Sequence, residues 1–224
     1  DPERPYWPGS PFGGADPNTG IEGDRHTWDV WHGAMADYQS YARFAGRFVS
    51  EFGMQAHPAM LTLASCLPKD AQVPESPALL HHNKADGGPA RLHYYLHTNL
   101  SVPDDLPGQV YASQLMQAEA LDHAYRGFRR RFGVPGRREV SGALVWQLND
   151  CWPVTSWAII DYALRKKGAW FAVRRALAPL SLGLAGIPGA AEGWLVNGTQ
   201  QGAALTLRLA VHPLAGPDAA PPVL

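Results

Sequence analysis

The sequence has few cysteines, almost no excess charge and no long apolar run. Its 19 Lys and Arg residues nearly balance 20 Asp and Glu residues, which gives a formal net charge of −1 over 224 residues. Phosphate-driven binding of nucleic acid therefore has no evident source, and no nucleic-acid partner is predicted. No apolar run approaches the roughly 20 residues that a membrane span needs, so no membrane partner is predicted either.

Cys66 and Cys151 are the two cysteines of the chain. They are too few and too far apart for a disulfide framework or a four-thiolate metal site, so two buried free thiols are expected. His93 and His97 have the i, i+4 spacing of a zinc-binding helix, but Tyr94 stands where the HExxH zinc proteases carry glutamate. No metal site and no cofactor are predicted.

Turn-forming and aromatic residues are abundant at the start of the chain. Residues 1–34 show no sustained hydrophobic period, which predicts a long loop. Trp7, Trp28 and Trp31 indicate that this loop is ordered and functional. The eight tryptophans suit stacking on sugar rings or, alternatively, a tryptophan-rich core. Because the start, DPERPYWPGS, has neither an initiator Met nor a signal-like pattern, the sequence is expected to begin within a longer protein, and localisation is not indicated.

Two strand-then-helix units follow the loop. A short helical pattern over Tyr38–Phe44 precedes an apolar strand at residues 47–52, with Glu51 at its C-terminal end. Helical turns are predicted near residues 81–84 and 92–96. A long amphipathic helix is predicted over residues 111–132, with arginines suited to its C-terminal dipole.

The second unit begins with the stretch GRREV and an apolar run at residues 141–150, predicted as a strand. A helix at residues 168–178 follows and is stopped by Pro179. Apolar strands with polar groups at their C-terminal ends are typical of a (β/α) barrel, in which catalytic groups share one face. Glu51 and Trp146 are therefore expected to lie near each other, although a strand-end carboxylate is often only an ion pair or a cap.

The residue pattern changes after Pro179, from strand-then-helix units to short strand candidates. Short strands are predicted at residues 178–186, 193–199 and 203–211, and in the last of them the apolar side chains alternate with others, which indicates a half-buried antiparallel sheet. Three strands are too few to complete a sandwich of about seven strands. Residues 1–178 and 179–224 are therefore predicted as two domains, the second incomplete. The alternating side chains are Leu205, Leu207, Leu209 and Val211.

Several motifs carry a family resemblance. RPYWPGSP, GDRHTWDVWHG, RFVSEFGMQ, HHNK, QLMQAEAL and GALVWQLNDCWPVTSWAIIDY together resemble glycoside hydrolase family 2, and specifically its β-mannosidases, over about residues 4–178. The resemblance implies the C-terminal half of a (β/α)8 TIM barrel followed by an incomplete immunoglobulin-like β-sandwich. It also implies a retaining enzyme that removes terminal, non-reducing β-D-mannose from oligosaccharides through a covalent glycosyl-enzyme.

The resemblance assigns roles to individual residues. Glu51 matches the family nucleophile, and Trp146 matches the tryptophan that forms the floor under the bound sugar. Asn149 and Asp150 follow on the same rim, where they are expected to bond sugar hydroxyls.

Four further aromatic and histidine residues, in segments that line the pocket of similar enzymes, are predicted to contact substrate. Tyr6 and His32 are also candidates to donate hydrogen bonds to Glu51 and keep its carboxylate ionised. For two of the four, the alternative is that they only anchor the loop. The four are Tyr6, Trp28, Trp31 and His32, and the alternative concerns Trp28 and Trp31.

The family acid/base, a glutamate preceded by asparagine, is missing: the chain has seven glutamates and no Asn-Glu pair. The acid/base is expected to lie upstream, in a missing N-terminal half of the same enzyme. The isolated chain is predicted to be a weakly active or inactive fragment. The alternatives are a β-galactosidase or β-glucuronidase of the same family, or a non-catalytic carbohydrate-binding fragment.

Overall fold

Three chain segments lie side by side in parallel in the computed structural model, which describes residues 2–4, 6–132, 140–187, 190–208 and 210. Strand β1 (Arg25–His26) pairs in parallel with β2 (Val49–Glu51). On the other edge, Val49 of β2 forms a parallel bridge with Ala143. The backbone N–H of Trp146 then donates to the carbonyl of Phe52 at 2.8 Å. The C-terminal ends of all three segments therefore meet at one edge.

The strand β2 lies on an aromatic core formed with the longest helix, α4 (Leu106–Arg130). The fully buried Phe52 packs edge-on against Tyr125 and Phe128 of α4, with ring centroids 5.1 and 5.2 Å away. The predicted amphipathic helix is confirmed. It starts five residues earlier than predicted, where the Asp105 side chain caps it by accepting the N–H of Gly108.

The other helices cover most of the remaining core. The predicted turn at residues 92–96 lies within α3 (Gly88–Asn99), and the predicted helix at residues 168–178 is α5 (Gly168–Ala176). The turn predicted at residues 81–84 is not helical beyond His81, the last residue of α2 (Pro77–His81). Helix α1 (Met60–Cys66) was not predicted, because it is only seven residues long and has no side-chain cap. The helices are α1 (Met60–Cys66), α2 (Pro77–His81), α3 (Gly88–Asn99) and α5 (Gly168–Ala176), with 3-10 helices at Tyr38–Phe44 and Lys69–Ala71.

The prediction of one regular strand at residues 141–150 is wrong. The N–H groups of Leu144 and Trp146 donate to residues 49 and 52, at the β2 edge. From residue 147 onward the partner changes: the N–H of Ile159 donates to the Gln147 carbonyl at 3.1 Å, and that of Ile160 to Leu148 at 3.0 Å. Because the segment changes partners midway, its pairing consists of isolated bridges. GRREV lies largely outside the described residues.

The C-terminal part forms an antiparallel pair of strands, β3 (Leu180–Ile187) and β4 (Ala190–Asn197). These two strands were predicted. Residues 203–208 and 210 form no strand, with Leu205 and Leu207 exposed, so the third predicted strand is not found there. Positions 209 and 211 lie outside the described residues.

The mixed α/β class is confirmed, whereas the half-barrel, the β-sandwich and the two-domain division stay predictions. Both cysteines are free, as predicted, but Cys151 is exposed and Cys66 only half-buried, so their predicted burial is wrong. Within the described ranges, the helices are all too short or too polar to cross a membrane.

Candidate active site

The carboxylate of Glu51 lies at the end of β2, where β1 and the residues that follow it supply its neighbours. The indole Nε1–H of Trp28 donates to Oε2 of Glu51 at 3.1 Å. Nδ1 of His26 lies 3.5 Å from the same oxygen. The backbone N–H of Thr27 donates to the Glu51 carbonyl at 2.7 Å, which fixes β1 against β2 at this point. The carboxylate is thus held by two residues of the parallel neighbour.

The predicted donors to Glu51 were Tyr6 and His32, whereas the structure places Trp28 and His26 there. Tyr6 is 94% exposed. His32 packs against Trp28 instead, with ring centroids 5.2 Å apart. The reason is the parallel pairing of β1 with β2, which brings positions 26 and 28 directly beside the carboxylate.

An aromatic wall extends from Trp28. Its ring lies 6.0 Å from that of Trp157, and His32 lies 6.0 Å from Trp157 as well, so the three rings form one cluster. Trp157 was not singled out from the sequence, because it stands in an irregular stretch without a hydrophobic period. Trp31 is fully buried and stacked on Tyr95, with ring centroids 5.9 Å apart. Trp31 therefore occupies the position of a loop anchor.

Trp146 follows the same edge of the sheet as Glu51, so the predicted proximity of the two segments is confirmed. Its side chain is 42% exposed. Gly53 allows the close approach, since a Cβ at that position would lie 2.1 Å from the carbonyl oxygen of Trp146. An exposed indole at this edge of the sheet is suited to stacking on an apolar sugar face.

Asn149 and Asp150 have different environments. Asn149 is exposed on the rim of a cavity of about 420 Å³. Asp150 borders the same cavity but is buried, and it accepts hydrogen bonds from Ser156 Oγ at 2.8 Å and Gln147 Nε2 at 3.2 Å. Burial raises the pKa of the Asp150 carboxyl, although Ser156, Lys167 and Gln147 act to lower it.

The HHNK segment packs against the other wall of this cavity. The ring of His82 stacks on Trp152, with centroids 4.9 Å apart, and Lys84 Nζ lies 5.7 Å from the same indole centroid. Lys84 and Trp152 both line the cavity, together with Trp157. Amide, cationic and aromatic groups that converge on one cavity are suited to binding a polar ligand with apolar faces.

A buried cation lies beneath the rim and was not predicted. Lys167 Nζ donates to the carbonyls of Ala56 at 2.9 Å and Ser156 at 3.3 Å. Burial lowers the pKa of Lys167 to about 8, although Asp150 and Asp161 act to raise it. Lys167 therefore ties the segment that follows β2 to the segment that carries Ser156.

The chain is similar in sequence and in fold to known β-mannosidases. Beta-mannosidase B of Thermothelomyces thermophilus is 50% identical over 189 residues, which are 82% of this chain and 22% of that protein. The crystal structure of a β-D-mannosidase from Dictyoglomus thermophilum is 38% identical with a TM-score of 0.80, over 88% of this chain and 24% of that one. The resemblance to the β-mannosidases is confirmed.

More distant similarity extends to an exo-chitosanase of Amycolatopsis orientalis, at 18% identity and a TM-score of 0.57, over 66% of this chain and 19% of that one. That likeness concerns the fold alone. No protein-family model matches the chain. The chain spans 22% of the length of the β-mannosidase from Thermothelomyces, so most of that relative has no counterpart in these residues.

A retaining β-mannosidase needs a second carboxyl group about 5–5.5 Å from its nucleophile. Among the described glutamates other than Glu51, three form contacts elsewhere in the fold, and Glu139 lies outside the described residues. Within the same part of the chain, no group of three His, Cys, Asp or Glu side chains is suited to a metal ion. The three are Glu75, Glu119 and Glu192, which contact His93, Tyr38 and Arg130.

Proposed function

We propose that this chain forms the nucleophile side of the active site of a retaining β-mannosidase. In this proposal, Glu51 attacks the anomeric carbon of a terminal, non-reducing β-D-mannose residue and forms a covalent mannosyl-enzyme. Water then hydrolyses that intermediate. The observation that carries the proposal is the Trp28 indole N–H that donates to Glu51 Oε2 at 3.1 Å, at a strand end shared with an exposed tryptophan.

A nucleophilic carboxylate must be ionised and oriented before the substrate arrives. The Trp28 indole suits this need because it is a donor only and cannot take the proton of a carboxylic acid. A hydrogen bond to the charged form of a group favours that form. Trp146, at the adjoining edge, is then the floor on which the apolar face of the mannose ring stacks.

We infer that the acid/base lies outside these 224 residues. The glutamates Glu75, Glu119 and Glu192 have other partners, and the side chains placed against Glu51 are an indole and an imidazole. The 22% share of the Thermothelomyces relative that the chain spans leaves ample sequence for that group. The proposed partners are therefore a mannose-containing oligosaccharide and the remainder of the same enzyme.

The test uses a 2-deoxy-2-fluoro-β-mannosyl fluoride, whose activated leaving group departs without an acid. We expect intact-mass analysis to show a single 2-fluoromannosyl adduct and peptide mapping to place it on Glu51. Glu51→Gln abolishes the adduct, whereas the control Glu75→Gln, at an exposed glutamate, leaves it unchanged. Adducts with the galactosyl or glucuronyl analogue but not the mannosyl reagent would refute the proposed substrate class.

A chimera makes the test decisive if the chain alone gives no adduct. The 189 matched residues replace their counterpart in Beta-mannosidase B of Thermothelomyces thermophilus, which supplies the rest of the fold. We expect this chimera to hydrolyse aryl β-mannosides and to lose that activity with Glu51→Gln. A folded chimera that is labelled at another carboxylate, or that keeps its activity with Glu51→Gln, would overturn the assignment of Glu51.

A further inference from the structure

His26 contacts the candidate nucleophile through one ring nitrogen and a network of polar side chains through the other. We propose that His26 is a positioning residue that fixes Oε2 of Glu51, with its own ring held by Ser10 and Asp24. This inference rests on the proposed function, because it gives His26 a task only if Glu51 is the nucleophile. Neither the resemblance nor the sequence pattern assigned a role to His26.

The direction of the hydrogen bonds follows from counting protons. Ser10 Oγ lies 2.5 Å from Oδ2 of Asp24, which has no proton to give when ionised, so the single hydroxyl proton of Ser10 points at Asp24. Nε2 of His26 lies 3.0 Å from the same hydroxyl oxygen. Since that oxygen has already given its proton to Asp24, it accepts from His26. Nε2 therefore carries a proton.

Asp24 fixes this arrangement because it stays ionised. Partial burial acts to raise the pKa of its carboxyl, but hydrogen bonds from Ser10, Ser50 and the Phe12 backbone N–H outweigh burial and lower that pKa. Ser50, the residue before Glu51, also donates to Oδ2 of Asp24. The network thus connects the strand of the nucleophile with the loop that carries Ser10.

The backbone of His26 is fixed as well. Its N–H donates to Oδ1 of Asn18 at 2.9 Å, and its carbonyl accepts from Nδ2 of Asn18 at 3.0 Å. With ring and backbone both held, Nδ1 has one direction left, toward Oε2 of Glu51 at 3.5 Å. The charged groups that face the ring are Glu51 on β2 and, through Ser10, Asp24.

The consequence concerns which carboxylate oxygen reacts. The contacts from Trp28 and His26 are both on Oε2, whereas the structure gives no such contact to Oε1 within the described residues. Oε2 is therefore the held oxygen and Oε1 the one that attacks the anomeric carbon. Because Oε2 only accepts, Nδ1 holds it only by donating, so the proposed ring carries protons on both nitrogens and the contact is a charge-assisted hydrogen bond, which is stronger than a neutral one.

The first test is independent of any activity. Nitrogen-15 NMR of the histidine rings identifies which nitrogen carries a proton, and the His26 signals are assigned by their loss in His26→Asn. We expect both Nδ1 and Nε2 of His26 to be protonated, and the Nε2 hydrogen bond to be lost in Ser10→Ala. A ring with no proton on Nδ1 would overturn the proposal, even if the chain were a β-mannosidase.

The second test distinguishes the roles of the two ring nitrogens by replacing His26 with Asn or Gln in the chimera described above. The side-chain NH₂ of Asn overlays Nδ1 and keeps a donor toward Glu51, whereas that of Gln overlays Nε2 and keeps only the Ser10 side. We expect His26→Gln to lower kcat roughly 10- to 100-fold with little change in KM, and His26→Asn to retain most of the rate. Equal losses in both variants would refute a role through Nδ1.

The two proposals fail in different ways. If Glu51 is not the nucleophile, labelling fails or moves to another carboxylate while the NMR result for His26 is unaffected. If His26 has only a structural role, Glu51 is still labelled, and the two amide variants differ in stability rather than in kcat. His97→Asn, at an exposed ring, is the control for general effects of removing a histidine.

Discussion

His57 is predicted to make this protein lose stability in mild acid. The residue is buried, and its Nδ1 lies 2.8 Å from Thr155 Oγ1. Burial, and next the charge of Lys167, lower the pKa of His57 to about 4. The unfolded chain takes up this proton near pH 6.5, so below that pH the unfolded state binds more protons than the folded state.

The magnitude follows from the two pKa values. The contribution of the neutral His57 to the free energy of unfolding is fully present above pH 6.5. It decreases by about 2 kcal/mol between pH 7 and pH 5, and the total decrease reaches about 3 kcal/mol below pH 4. His57→Asn removes the titrating group and keeps a polar group beside Thr155. The variant is therefore expected to lack this part of the acid sensitivity, whatever its stability at pH 7.

The assay is urea unfolding followed by tryptophan fluorescence at pH 7, 6 and 5. Between pH 7 and pH 5 the free energy of unfolding of the wild type is expected to fall by about 2 kcal/mol more than that of His57→Asn. His93→Asn, at an exposed histidine, serves as control and should follow the wild type. Parallel curves for the wild type and His57→Asn would refute the argument from burial.

Three further predictions concern the candidate active site and the residues that support it. Trp28→Phe is expected to slow labelling of Glu51 by about tenfold or more, because a hydrogen bond to a charged group contributes about 1.5–3 kcal/mol; an unchanged labelling rate by mass spectrometry would contradict this. Gly53→Ala places a Cβ against the Trp146 carbonyl and should lower the free energy of unfolding by about 1–3 kcal/mol, so an unshifted urea midpoint would show that the backbone yields. Between pH 8 and pH 10 the free energy of unfolding of the wild type should rise by about 2 kcal/mol relative to that of Lys167→Met, because the folded state releases the Lys167 proton at a lower pH than the unfolded state does. A difference between the two proteins that stays constant with pH in urea unfolding would argue against the lowered pKa.

The segments of the candidate active site were predictable where the sequence has a period. The apolar run before Glu51 and the apolar run through Trp146 each indicated a strand segment, and the parallel pairing that brings them together follows from the strand-then-helix pattern. Helix α4 was predictable from its amphipathic spacing. The end of residues 141–150 was not, because a change of pairing partner leaves no trace in a run of apolar side chains.

Other parts of the candidate active site could not be predicted from the sequence, because they depend on tertiary contacts. The strand β1 is two residues long and has no pattern of its own, so the position of His26 beside Glu51 became visible only with the pairing to β2. Trp28 and Trp31 are three residues apart in one loop and equally aromatic. The positive φ of 76° at Trp31 turns its ring into the core, where it stacks on Tyr95, while Trp28 faces the carboxylate.

The positions of Trp28 and His26 make it possible to test the nucleophile separately from the acid/base in the proposed reaction. Both contacts to Oε2 of Glu51 come from residues 26 and 28, and the network that fixes His26 involves Ser10 and Asp24, all within this chain. In the proposed mechanism the nucleophile is therefore held by local sequence. A reagent that needs no acid catalysis tests that holding alone, while hydrolysis of a natural mannoside also requires the acid/base. If labelling proceeds without hydrolysis, the nucleophile side is formed independently of its catalytic partner.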